Sequence, residues 1–316
     1  MIWKLFAGAL AFSLSGATYA LAADKKPAPV QDPGGVSDAF GFTDGADVTD
    51  KGKLGFTSST FGYFGKRGGV YRSGLQQSEL AYGVLDGLHI SLSAFHLHHR
   101  IRDAQSPATL WDVIDGNGGF LDNRNRTAFS GLQAQAKYQL LKIEEGKPFG
   151  LALQIDPGWS RLDGGSGAHI RDYALGATLI GEAMLIANRL YAAVNIGYAM
   201  SWTLPLPAAP GAGSKYARGS EAFVSASLSF RILPNLHAAI EARAESSFDG
   251  LALKRFQGHG YFIGPSLYWK PHEKIFVQAA WNAQVGGHAR SESGRRLNFD
   301  HYERHRVRLK IGIDLN

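Results

Sequence analysis

Four cations recur at every second position near the end of the chain: Arg304, Arg306, Arg308 and Lys310. Alternate residues of an extended strand share a face, so this spacing predicts a ladder of positive charge along one wall. Low-dielectric surroundings would focus its field and favour anions. Glu221, Glu241 and Glu245 are the acids on other segments able to answer it, with Arg243 between the last two. Two arrangements follow. The acids pair with the arginines and close the space, or the cations line an open pore; buried like charges without partners would be too costly. Gln278 and Asn282 add amides to the same polar lining.

Other residues invite chemistry with less support. His89-Ile90-Ser91 places an imidazole and a hydroxyl on one strand face, the spacing of a base and a nucleophile. That spacing resembles outer-membrane phospholipase and lipid A deacylase sites, but the pair follows a short turn on the rim away from the outer leaflet. It reads as lumen polarity, with a lipid-modifying enzyme kept only as an alternative. His96 and His98 share a face, yet no third ligand accompanies them. Asp112, Asp115, Asn117, Asp122 and Asn123 offer oxygens outside any EF-hand register. The expectation is therefore no catalytic residue, no metal and no cofactor. A second cationic group, His288, Arg290, Arg295 and Arg296, with Arg304 beside it, suits the phosphates of lipopolysaccharide.

The elements that must hold these groups are strands. Ile275, Val277, Ala279, Trp281, Ala283 and Val285 interleave with Phe276, Gln278, Ala280, Asn282 and Gln284, the period of two chemically different faces. Residues 236–245, 132–140 and 306–315 repeat the rule, and looser examples cover 53–64, 70–83, 88–101, 148–160, 169–186, 190–202, 220–231 and 258–269. This predicts about 12 strands, long enough to cross a bilayer at a tilt. Connections alternate between short ones, such as Leu85-Asp86-Gly87 and Leu233-Pro234-Asn235, and long polar ones, such as 103–125 and 205–219. Short turns on one rim and long loops on the other mark an outer-membrane barrel. Trp159, Trp202, Trp269, Tyr138 and Tyr198 fall near strand ends, where interfacial aromatic girdles belong.

The chain of 316 residues is 45% hydrophobic and has no Cys, which excludes a disordered polymer and a disulfide scaffold. No apolar run of about 18 residues follows the first 25, which excludes a bundle of membrane helices. Lys4, the apolar stretch Leu5–Leu14 and Ala20-Leu21-Ala22 read as a signal peptide cleaved after Ala22. The expected organisation is a signal peptide over 1–22, a periplasmic tail over 23–51 and a barrel over 52–316. Asp32, Asp38, Asp44, Asp47 and Asp50 in the tail could fold into a basic lumen as a gate.

Phe40-Gly41-Phe42-Thr43-Asp44-Gly45-Ala46-Asp47, with 79–84 and 85–92, resembles the entry hairpins of proteobacterial outer-membrane proteins loosely called transporters of the phenol meta-pathway type. The resemblance implies a fold and a compartment. The last strand is similar to the outer-membrane assembly signal, although it ends in Leu315-Asn316 where an aromatic is usual. The expectation is thus an all-β, transmembrane, antiparallel up-and-down barrel in the outer membrane. It would pass small polar or anionic solutes and meet lipids, lipopolysaccharide and the assembly machinery, but no nucleic acid. A closed structural or envelope-binding barrel acting through its loops is the alternative from another class.

Overall fold

The computed structural model describes residues 39–66, 69–103, 123–144, 146–206, 216–290 and 295–315. The leader over 1–22, Asp32, Asp38 and the loop acids Asp112, Asp115 and Asp122, with Asn117, lie outside them. Twelve strands run in order: β1 (Leu54–Phe64), β2 (Val70–Leu85), β3 (Leu88–Arg102), β4 (Arg124–Leu141), β5 (Phe149–Leu162) and β6 (His169–Ile186), then β7 (Leu190–Pro205), β8 (Ala217–Leu233), β9 (Leu236–Asp249), β10 (Phe256–His272), β11 (Ile275–Ala289) and β12 (His305–Asp314). Each pairs antiparallel with its sequence neighbours, and β1 pairs with β12 to close the barrel. Among the described residues no helix is long and apolar enough to cross a membrane.

Alternation decides which way each side chain points. On β12 Val307, Leu309, Ile311 and Ile313 are exposed on the outside while Arg306, Arg308 and Lys310 line the interior cavity. On β11 Ile275 and Trp281 are exposed, whereas Gln278 and Asn282 are fully buried. A barrel that turns Leu, Ile and Val outward on every side has an exterior that acyl chains solvate better than water does. Outward aromatics gather at two levels. Tyr82, Tyr138, Phe149 and Trp269 lie toward the short-turn ends of their strands, and Phe64, Tyr173 and Tyr216 toward the long-loop ends. The apolar band lies between them.

Candidate functional site

The interior is divided by the segment that precedes β1. Residues 39–50 run inside the wall near the short-turn rim as a strap, held mainly through backbone groups. Glu241 on β9 accepts from the N–H groups of Gly41, Phe42 (2.6 Å) and Thr43 (3.1 Å), and from the Ser266 hydroxyl (2.8 Å). Three successive N–H groups aimed at one carboxylate form an anion-binding nest. Its partner must come close: a Cβ at Gly41 would overlap Glu241 Oε1 and the Cβ atoms of Ala280 and Ser266. Glu182 Oε2 accepts from Ala46 N–H (2.8 Å), while Lys137 Nζ donates to Gly45 O (2.7 Å) and Arg308 Nη1 to Gly41 O (2.7 Å). Gln278 donates to Phe40 O. Phe40 packs on Tyr191 and Ala193, and Ala46 on Ala152 and Ile180. Asp44, Asp47 and Asp50 face the remaining cavity.

Above the strap a charged lattice crosses the β9 and β12 wall. Arg306 pairs with Glu245 (2.8 Å) and Glu303 (3.2 Å), and Arg243 pairs with Glu245 (2.5 Å). Aromatic faces carry the cations: Arg243 stacks over Phe223 at 3.9 Å, Arg306 over Phe262 at 4.0 Å, Arg308 over Phe61 at 5.0 Å and Lys310 over Phe276 at 5.3 Å. Such contacts fix a guanidinium plane without neutralising its charge. The facing wall is amide and acid. Gln77 bonds Glu79 and Ser93, Ser91 bonds Gln135, and Gln154 bonds Asp156. A cavity of about 1430 Å³ lies between the walls, touching Asp50, Lys270 and Asp314 at one rim and Asp163, Asp249 and Asp300 at the other.

The expected lining residues are distributed as follows. Arg243, Glu245, Arg306, Arg308 and Lys310 reach the cavity. Glu241, Gln278 and Asn282 are buried in the same wall, the first two bound to the strap. Arg304 differs: β12 begins at His305, so Arg304 sits in the preceding bend with an exposed side chain and its N–H on Phe64 O and Gly65 O. His288, Arg290, Arg295 and Arg296 are exposed at the long-loop rim, where His288 approaches His259 at 6.0 Å.

The His89 and Ser91 pair does not form a relay. Thr49 N–H donates to His89 Nδ1 (3.1 Å) and Ser91 donates to Gln135 (3.0 Å). His96 and His98 point outward, His98 hydrogen-bonded to Thr127 (2.6 Å) and His96 edge-on to Phe129. Among the described residues no three His, Cys, Asp or Glu converge as a metal site. Sequence reasoning missed the strap's anchors Glu182 and Lys137; both sit on lumenal positions of alternating strands, but nothing in their spacing names a backbone partner.

A family model described as a family of unknown function, DUF6662, matches residues 36–315. The chain belongs to that family. A search of the curated proteins gives no match. Among solved structures, the DUF6662 chain is similar to the COG4313 outer membrane channel from Pseudomonas putida F1, with 10% identity and a TM-score of 0.53 over 85% of this chain and 98% of that one. It is also similar to the beta domain of the Bordetella autotransporter BrkA, with 11% identity and a TM-score of 0.50 over 84% and 100% of the two chains. At these identities the likeness shows the barrel fold.

Proposed function

We propose that this DUF6662 protein is an outer-membrane channel for passive passage of small polar solutes, with anionic groups guided along the β12 wall. The observation that carries this reading is the cavity of about 1430 Å³, lined in part by charged and amide side chains, that meets charged residues at both rims. The outward apolar faces support a membrane location, and the leader over 1–22 supports export, with removal after Ala22. In the lumen, Arg308 and Lys310 lie on phenyl faces, and Arg308 is bonded to a carbonyl rather than a carboxylate. The Arg308 charge thus faces the cavity with a carbonyl, not a carboxylate, as its partner. Exposed Arg290 and Arg296 at the long-loop rim would add a positive approach field.

Current through the refolded chain in a planar bilayer tests this. A salt gradient should give a reversal potential on the anion side, and an Arg306→Glu, Arg308→Glu double variant should shift it toward cations. Equal reversal potentials would remove the selectivity assignment. The strap favours a second reading, a barrel closed at rest, because it occupies the lumen near one mouth. Deletion of residues 39–50 should raise conductance if the strap is the constriction; an intact and a strapless barrel that both carry no current would leave the structural reading.

A further inference from the structure

One part of the outside breaks the apolar rule. Arg72 on β2 and Arg100 on β3 are direct cross-strand partners, and Arg102 follows one rung on, opposite Val70. All three are exposed. Their flanking residues Tyr71 and Ile101 are buried together against Tyr63 on the inside, so the arginines face outward. Among the described residues none of the three has an acidic partner. Like charges directly opposite on a sheet repel, and a bound anion removes that cost.

Height places this group. Strand rise and a tilt near 40° give about 2.6 Å per residue along the barrel axis. Ten residues then separate outward Tyr82 from Arg72 by about 26 Å, close to the roughly 25 Å apolar band of such barrels. With Tyr82 at one interface, Arg72 and Arg100 lie at the other, level with outward Phe64, the β1 partner of Arg72. About 10 Å below, by the same rise, the outer face carries amide and hydroxyl groups where neighbouring strands carry Leu and Ile. Gln76 donates to Ser58 (2.7 Å) and accepts from Thr60. His96 is the β3 partner of Gln76, and His98 stands one rung nearer the arginines. Gly62 and Gly74 are partners between the two levels and keep the surface low there.

We propose that the outward face of β1–β3 is a docking site for a phosphorylated glycolipid of the outer leaflet. The proposal rests on the membrane location argued above. Phosphate oxygens take charge-assisted, bidentate hydrogen bonds from Arg72 and Arg100. The amide and ester linkages of the acyl chains begin just beneath the sugar, at the level of His98, Gln76 and Thr60. These side chains already bond to one another or to Thr127, and polar lipid linkages at that depth would solvate them better than acyl chains do. A glycolipid supplies both levels at once, whereas a second copy related by an axis along the membrane normal would set arginines against arginines.

The refolded chain in detergent, mixed with bisphosphorylated lipid A, dephosphorylated lipid A or phosphatidylglycerol, should retain one bisphosphorylated lipid A in native mass spectrometry. Arg72→Ala with Arg100→Ala should weaken retention at least tenfold, and Gln76→Leu severalfold, with heat-modifiable gel mobility showing that each variant is folded. Unchanged retention in the double variant would overturn the site. Equal retention of phosphatidylglycerol would reduce it to a generic anionic surface and overturn the glycolipid assignment. A lipid-free dimer lost in Gln76→Leu would assign the face to a second copy instead. Flotation with vesicles scores the membrane location separately: a chain that floats and binds no lipid A refutes only the site, and one that does not float refutes both.

Discussion

Glu241 is the residue on which the strap depends, because one carboxylate answers three backbone N–H groups and a hydroxyl. Glu241→Ala orphans those donors, at about 1–3 kcal/mol for each buried unmet group. Chymotryptic cleavage at Phe40 or Phe42 should accelerate by about tenfold or more, since every 1.4 kcal/mol is tenfold. Gly41→Leu should do the same with every wall residue unchanged in type, because its side chain would overlap Glu241, Ala280 and Ser266. Unchanged cleavage in both variants would show that the strap is held elsewhere. Outside the strands, His301 is held neutral by burial, assisted by the positive charge of Lys66, and its pKa falls to about 4. A folded value below the unfolded one means that its contribution to stability is complete above about pH 6.5 and is lost as pH falls through about 4. The His301 ring resonance should therefore not titrate between pH 8 and 5.5; a midpoint near 6.5 would contradict its burial.

At the scale of elements, β12 shows how alternation assigns solvent. Leu309 faces outward and Lys310 the cavity, one residue apart. Leu309→Arg should cost about 2–4 kcal/mol near the bilayer midplane, read from denaturant unfolding in vesicles, whereas Lys310→Ala should cost far less. Similar losses would mean that the two faces share one environment. This period was legible in the residues of β9, β11 and β12, where greasy and polar types strictly alternate, and it carried the strand count and the short-turn rim. Arg304 keeps the period in the letters although β12 begins only at His305, so alternation alone does not mark where the strand starts. In the letters the strap showed as a run of acids and as the resemblance over 40–47, but its contacts did not show: Gly41, Phe42 and Thr43 bind through backbone atoms that every residue possesses, so their types do not announce the partner.

For the whole molecule the decisive pairing is β1 with β12, which joins the two ends of the strand order and leaves no sheet edge. The chain has no Cys, so a cross-link can report that seam directly. Thr60 and Leu309 are direct partners, and facing ladder positions lie within disulfide reach. A Thr60→Cys, Leu309→Cys variant should oxidise when folded and not in denaturant, giving a band that no longer expands on heating. Free thiols in the folded state would refute the register. The lumen inside that ring has a cationic wall on β9 and β12 and an acidic, amide-rich wall on β2 to β5, so a solute with separated charge would travel oriented.

The strap also carries information about time. Its anchors lie as far along the chain as Glu241, Gln278 and Arg308, up to 267 residues after the groups they hold. Partners so remote in sequence are the last to be found. The segment synthesised just ahead of the first strand must therefore wait, unsatisfied, until the final strand has arrived. Its settling would mark a finished molecule, and a quality-control protease would find the waiting segment only on barrels that never close.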